Sequence, residues 1–384
     1  MSNPKNFNLL SLFSGGGFLD LGFLNQGFSI NQAVEINPFF IEAYNEGLRS
    51  YYSKVFDEKK HGTYHVMEGA LDASKKEILD TLKQKNQGVA GIIGGPPCQD
   101  YSVGGANAGH NGARGKLIYS YFEIVKKVDP AFIFFENVPG LFNTREHNKA
   151  FMDLVKMLGA EDYVVWYDIL NALEYGVPQD RSRLTLVGFK REIVNRLEAA
   201  GYKGKQTMWV ENPDELVFNW PGKIYDKPKQ NPWPGKWLFG SDIIQTDVDR
   251  IPKELSVLQV INAFNTITSD SPNQGECFNP KSDKFLRIDE GDTNRKSFKR
   301  LHRYRYSPTV AYGNNEVHLH PTEARRLTVR EALKIQSVPD EYVLPASVPL
   351  SHKFKLISNG VPTRKAELIA HEIKRTLENY YALL

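Results

Sequence analysis

The chain of 384 residues has only two cysteines, Cys98 and Cys277, so no disulfide framework can hold it. That excludes the small stapled scaffolds of secreted proteins and fits a reducing compartment. No apolar run is long enough for a membrane helix, and no charged-then-apolar leader with a small-residue cleavage site opens the chain. A cytoplasmic protein with no membrane partner is therefore expected. Charge of one sign is also lacking: the formal net charge is +3, which says little about partners. With 41% hydrophobic and 24% charged residues, the composition is that of an ordinary globular protein. The length suits one large domain plus a smaller one.

What is there centres on Gly94-Gly95-Pro96-Pro97-Cys98-Gln99-Asp100-Tyr101-Ser102. The apolar run Val89 to Ile93 before it is short enough for a buried strand. The two prolines fix φ and withhold two backbone donors, so a stiff turn presents a cysteine at a strand tip. For an arbitrary lone cysteine the favoured outcome is a structural one. The surroundings of Cys98 favour a nucleophile. Beyond it, Val103 to Gly115 is long and glycine-rich, and reads as a lid, with simple disorder as the competing reading.

Around this stretch, strands alternate with helices. Phe7 to Phe13 reads as a strand that turns through Ser14-Gly15-Gly16-Gly17 into a helix from Leu19 to Gln26. Such a turn lets backbone N–H groups and a helix N-terminus approach a ligand. A second strand, Ile30 to Ile36, carries Glu35 twenty positions after Gly15, where an acid can accept hydrogen bonds from ribose hydroxyls. Asn37-Pro38 opens the next helix with a cap and a proline. Further strands are expected at His65 to Leu71, before Cys98, at Ala131 to Phe135, at Tyr163 to Leu170 and at Arg183 to Phe189. This pattern predicts an α/β fold whose mostly parallel sheet has helices on both faces. Ligands collect at the carboxyl ends of such strands, so Gly15, Glu35, Cys98 and Glu136 should share one crevice.

From Arg191 the alternation is expected to stop. Trp209, Trp220, Trp233 and Trp237 come next among prolines, asparagines and lysines, which suits a small, loop-rich, partly β region. Between Arg295 and Arg305, six of eleven residues are Lys or Arg, interleaved with Phe298, His302 and Tyr304. A phosphate-contacting surface with stacking groups is one reading, and a solvated basic face is the plain alternative. Thr328 to Ser337 predicts a helix with Thr328 and Glu331 as a capping box. Pro362 to Leu384 predicts an amphipathic helix.

Six segments in this order resemble the motifs of the DNA cytosine-5 methyltransferase family of restriction–modification type. They are Phe13-Ser14-Gly15-Gly16-Gly17, Pro96-Pro97-Cys98-Gln99, Glu136-Asn137-Val138, Gln179-Asp180-Arg181-Ser182-Arg183, Arg325 to Gln336 and Ile357 to Pro362. The resemblance implies a Rossmann-like class I methyltransferase fold with a seven-stranded sheet. It divides the chain into a catalytic domain at 1–190, a target-recognition domain at 191–306 and a returning segment at 307–384. It also implies S-adenosylmethionine as methyl donor, held by Phe13, Ser14, Gly15, Gly16, Gly17, Phe18, Glu35, Ile36, Leu71, Pro96, Leu117, Asn359 and Val361. Catalysis would fall to Cys98, Glu136, Arg181 and Arg183. The Cys98 thiolate would add to C6, Glu136 would hold N3, and Arg183 would reach O2. Arg181 would assist or hold backbone. No metal is implied.

By the same resemblance the substrate is double-stranded DNA with one base flipped out of the stack. Gln99, Ser102, Arg114, Lys299, Arg300, Arg303 and Arg305 would contact it. A cognate restriction endonuclease or defence-system protein is the implied partner, and the expected state is a monomer. Ser11 and Phe18 depart from the usual pattern, as do Asp100-Tyr101. Ala70 stands where an aspartate is usual, with Asp72 as its substitute. Two other readings share these motifs: an RNA methyltransferase like the family's tRNA branch, and an inactive DNA-binding regulator. Retention of Cys98 and Glu136 counts against the second.

Overall fold

Alternate residues along the central strands are apolar in both directions, so each strand must be covered on two sides. A computed structural model describes residues 7–55, 64–68, 80, 83–84, 88–97, 116–203, 217–241, 248–262, 271–279, 283–310, 312 and 317–384. The main strands are β1 (Asn8–Leu12), β2 (Ser29–Glu35), β3 (Tyr64–Glu68), β4 (Gly91–Gly94), β5 (Phe132–Asn137), β6 (Tyr163–Asn171), β7 (Gln179–Asp180) and β8 (Ser182–Lys190). Seven of them form one sheet in the order β3-β2-β1-β4-β5-β8-β6. Strands β1 to β5 run parallel, and β8 lies antiparallel between β5 and β6. The expected strands thus all form, with one reversed.

Side chains alternate strictly between two cores. Leu9, Ile93, Phe132, Phe134, Val187 and Phe189 face one of them. Leu10, Leu12, Ile92, Ile133, Phe135, Leu184 and Leu186 face the other. Full burial of each such side chain is worth ~1.5–3 kcal/mol. The first core is closed by helices Phe18–Asn25, Pro38–Val55, Arg191–Ala199 and Thr363–Tyr381, the second by Lys116–Val128 and Arg145–Ala160.

The helix Arg191–Ala199 continues the alternation past the expected stopping point. Ile193, Val194 and Leu197 lie at helical spacing and enter the first core, joined by Val217 and Phe218. Phe218 packs on Trp166 at 5.8 Å and on Trp220 at 5.2 Å. Between Trp220 and Thr328 the described chain is built of short 3₁₀ turns, two-residue strands and one short helix, Val257–Asn262. Of these strands β9 (Lys299–Arg300) pairs with β11 (His318–Leu319), and β10 (Ser307–Pro308) pairs with β7 in a separate two-stranded sheet. Two small cores hold this part, one around Val257, Leu301 and Leu327, the other around Phe285, Ile288 and Leu319.

The capping box forms as expected: Thr328 Oγ1 accepts from Glu331 N at 3.2 Å, and Thr328 N donates to Glu331 Oε2 at 2.9 Å. The last helix lies on the first one, where a Cβ on Gly22 would come within 2.6 Å of Ala366.

Candidate active site

The turn after β1 is under backbone strain. Phe13 has φ +56°, which a non-glycine residue rarely adopts, and Gly15 and Gly17 stand at +57° and +76°. A Cβ on Gly17 would lie 2.7 Å from the Tyr44 ring, so both conformation and space require glycine there. Glu35 at the tip of β2 ties the turn down. One carboxylate oxygen accepts from Gly15 N, the other from Ile36 N and Asn37 N, each at 2.9 Å. Next to it the Ile36 side chain is 69% exposed, an apolar face at a strand tip.

Ser11 and Asp20 explain each other. The Ser11 hydroxyl donates to Asp20 Oδ1 at 2.7 Å and the Tyr44 hydroxyl to Asp20 Oδ2 at 2.7 Å, all beneath the glycine turn. Burial pushes the Asp20 carboxyl up to about 6, against the hydrogen bonds from Ser11 and Tyr44. An acid thus supports the turn from the helix rather than from the strand. The closing segment covers the same turn. Leu356 packs on Gly16, and Gly360 sits on the Phe18 ring. Asn359 is exposed and Val361 buried. Phe18 is 1% exposed and edges onto Tyr342, so its ring belongs to the core, and what it can offer a ligand is its backbone. Leu117 is half-buried on the helix Lys116–Val128.

At the neighbouring strand tips, β5 delivers Glu136 and β8 delivers Arg183. Arg183 Nε lies 3.3 Å from Glu136 Oε1, and both side chains are largely buried. The antiparallel register sets this meeting, because Glu136 pairs with Thr185 and Asn137 with Leu184. Asn137 Nδ2 donates to the Pro96 carbonyl at 3.2 Å, which fastens the approach to Cys98 beside Glu136. Pro96 itself is buried and Pro97 exposed. Gly95 leaves room there, since a Cβ would stand 3.1 Å from the Glu136 carbonyl oxygen.

Arg181 does not join this group. It is 1% exposed and donates to the carbonyls of Ser358 at 3.0 Å, Gly360 at 2.9 Å and Val310 at 3.4 Å. The expectation of a catalytic Arg181 is corrected to a clamp on the closing segment. Gln179 is likewise buried in a clamp: its Nε2 donates to the Ile335 carbonyl and Gln336 Oε1, and its Oε1 accepts from Val310 N.

The basic run from Arg295 to Arg305 divides: Arg295 and Lys296 are exposed, while Arg300 is buried. Arg300 is 0% exposed, and its guanidinium donates to the carbonyls of Ile288, His320, Glu323 and Phe285 at 2.6–3.0 Å while lying over the Phe239 ring. Arg303 forks onto the buried Glu290 carboxylate, and Arg295 pairs with Asp292. Arg300 as a phosphate contact is therefore corrected to a structural residue, and Arg303 is already neutralised. His302, expected among the stacking groups, is 1% exposed against Trp237. Burial pulls its imidazole down to about 3, helped by Arg303 and Arg305. Lys299 and Arg305 are half-buried, and the Arg305 guanidinium lies over Tyr306.

Cys98, Gln99, Ser102, Arg114 and Leu71 lie outside the described residues, as do Ala70, Asp72, Asp100, Tyr101, Trp209 and the expected lid at 103–115. Among the described residues no group of three or more His, Cys, Asp or Glu could hold a metal ion, and no helix is long and apolar enough to cross a membrane. Sequence reasoning passed over Lys365, a fully buried lysine on the last helix. The signal was present: it falls on the buried stripe of that helix with Ala366, Ile369, Ala370 and Ile373.

The chain is 40% identical to the type II methyltransferase M.NmeDI of Neisseria meningitidis serogroup C, over 98% of this chain and 86% of that protein. It is 30% identical to the type II methyltransferase M.NgoPII of Neisseria gonorrhoeae, over 98% and 99% of the two chains. The fold is similar to that of the methyltransferase EhMeth of Entamoeba histolytica, with a TM-score of 0.59, 15% identity and coverage of 97% and 98%. The family model for C-5 cytosine-specific DNA methylases matches residues 7–375, which takes in both the strand-tip pair and the returning segment. On that match the chain belongs to the C-5 cytosine-specific DNA methylase family.

Proposed function

We propose that this methylase transfers the methyl group of S-adenosylmethionine to C5 of a cytosine flipped out of a specific duplex DNA sequence, through a covalent bond from Cys98 to C6. The observation that carries the reading is the Glu136–Arg183 pair at 3.3 Å, with Asn137 holding the Pro96 carbonyl two residues before Cys98.

C5 of cytosine is a weak nucleophile. Addition of the Cys98 thiolate to C6 breaks the ring's aromaticity and puts electron density on C5. Glu136 holds N3 with a proton and stabilises that density, and Arg183 fixes the carboxyl and reaches O2. After methyl transfer, loss of the C5 proton expels the thiolate and restores the ring. The base must leave the stack for any of this to occur.

The residues around the glycine turn fit the methyl donor. Ser14 Oγ is buried with no hydrogen-bond partner among the described residues, a Cβ on Gly15 would meet open space, and Ile36 offers an apolar face beside Glu35. Phe13 to Gly17, Glu35, Ile36, Asn359 and Val361 would hold it, with Glu35 accepting from the ribose hydroxyls. Bound there, it supplies an electrophilic methyl on a sulfonium. The described region between Trp220 and Ser307 would read the DNA, through groups other than Arg300. The type II names of the relatives support a restriction–modification enzyme acting beside a cognate endonuclease, which we take to be a cytoplasmic monomer.

The test is a covalent trap. DNA carrying 5-fluorocytosine should be captured irreversibly by the native enzyme, because fluorine cannot leave as the proton does, and Cys98→Ala should bind DNA without capture or methylation. A preparation that methylates normal DNA yet captures none of the fluorinated DNA would reject Cys98 as nucleophile. Labelling confined to tRNA would overturn the choice of substrate.

A further inference from the structure

Lys365 lies in the first turn of the last helix, 0% exposed, and its Nζ has no hydrogen-bond partner among the described residues. A buried ammonium so placed is strongly disfavoured, and a methionine of similar volume would fill the space without that penalty. Its neighbours on the buried stripe are Thr363, Ala366, Ile369 and Ala370. Arg181, in the turn between β7 and β8, bonds the Ser358 and Gly360 carbonyls and so ties the start of this helix to the strand tips, whose charged groups Glu136, Arg183 and Arg181 act on the lysine. On its own helix the flanking charges look elsewhere, Arg364 donating to the Tyr175 carbonyl at 3.1 Å and Glu367 bonding to Gln26.

We propose that Lys365 is a positioning residue for methyl transfer, a buried cation whose field acts on the Glu136–Arg183 pair and raises the positive potential of the strand tips. The inference rests on the roles given above to Glu136 and Arg183. A positive potential there favours both the thiolate that attacks and the anionic ring that forms. Arg181 commits its guanidinium to three carbonyls, whereas Lys365 Nζ has no hydrogen-bond partner among the described residues.

Lys365 also makes this potential adjustable. Burial pulls its amine down to about 8; Glu136 opposes the fall, and Arg183 and Arg181 add to it. As pH rises through that value the cation is lost and the transfer step should slow. For stability the sign is opposite. Between about 8 and the ordinary lysine value of 10.5 the unfolded chain binds more protons than the folded one, so stability rises with pH there.

The experiment is single-turnover methyl transfer with saturating DNA and S-adenosylmethionine, from about pH 6 to about pH 10, for the native enzyme, K365M and K365R. At neutral pH, K365M should be about tenfold slower with unchanged KM values, as expected for one charge removed at close range. It should also lose the alkaline fall near 8 and melt no lower than the native enzyme. K365R, permanently charged, should keep the neutral rate and lose the alkaline fall. A K365M variant with the native rate and profile would overturn the proposal, and so would a native profile flat through pH 8. If K365M does not fold, K365R and the native profile still decide. Failure of the native enzyme to produce 5-methylcytosine would instead reject the functional reading on which this one stands.

Discussion

Two arginine-bearing stretches, 181–183 and 295–305, look alike as sequence and behave differently in the fold. In the first, strand geometry separates neighbouring roles: Arg183 meets Glu136 at the tips of β8 and β5, while Arg181 clamps backbone. In the second, no long ladder exists among the described residues to pair the backbone, and guanidinium groups do that work. Arg300 alone caps four carbonyls from 285 to 323. Arginine density therefore does not by itself mark a ligand contact: even beside the sheet Arg181 bonds main-chain carbonyls, while Arg183 meets a carboxylate. Such density signals internal bonding where secondary structure is scarce.

The hardest test of that contrast is Arg300→Met. It leaves buried carbonyls unpaired and should cost about 4 kcal/mol in urea unfolding. Arg300→Lys should rescue little, because one ammonium cannot span the same fork of acceptors. A loss below about 1 kcal/mol would mean that the clamp is dispensable. Next comes the pair Arg181→Met and Arg183→Met. The first should lower stability by about 3 kcal/mol with a smaller effect on single-turnover rate in the folded fraction; the second leaves the largely buried Glu136 carboxylate unpaired and so also costs stability, but it should slow transfer about a hundredfold in the folded fraction. Reversal of these two patterns would abolish the distinction between the neighbours.

A gentler probe uses pH. Burial pulls His302 and His318 down to about 3, and His320 downward in the same direction, against the pull of Glu331. Their unfolded forms bind protons below the ordinary value of 6.5, while the folded forms remain neutral. The stability they contribute is thus complete above that value and lost as pH falls toward the folded ones. By pH 5 the loss should reach about 2 kcal/mol for each of His302 and His318. Urea titrations from neutral to acidic pH should show this slope, and His302→Phe with His318→Phe should flatten it.

How far the sequence was legible divides along the same line. The strands could be read because their apolar residues alternate and both faces need cover, as with Phe132 to Phe135. Glu35 and Glu136 could be read because strand tips converge in such sheets. The helix at Arg191 could not be separated from the irregular chain after it, since its few apolar positions are flanked by charge. Arg300 and His302 were misleading for a related reason: a charged residue in irregular chain gives no periodic hint of which way it faces. Lys365 was visible as a lysine on an apolar stripe, but long lysines commonly reach solvent from such positions.

One hydrogen bond carries a consequence for how the enzyme comes into being. The Tyr342 hydroxyl donates to the Gly16 carbonyl at 2.6 Å across 326 positions, with the Ala43 carbonyl at 3.0 Å. Leu356 and Gly360 close on the same turn. β1 is synthesised before the residues that complete its glycine turn, which follow 326 positions later. A nascent chain on the ribosome thus holds an unfinished glycine turn until Tyr342 has been synthesised and can reach it, so the turn closes as a long-range step rather than growing with the strand.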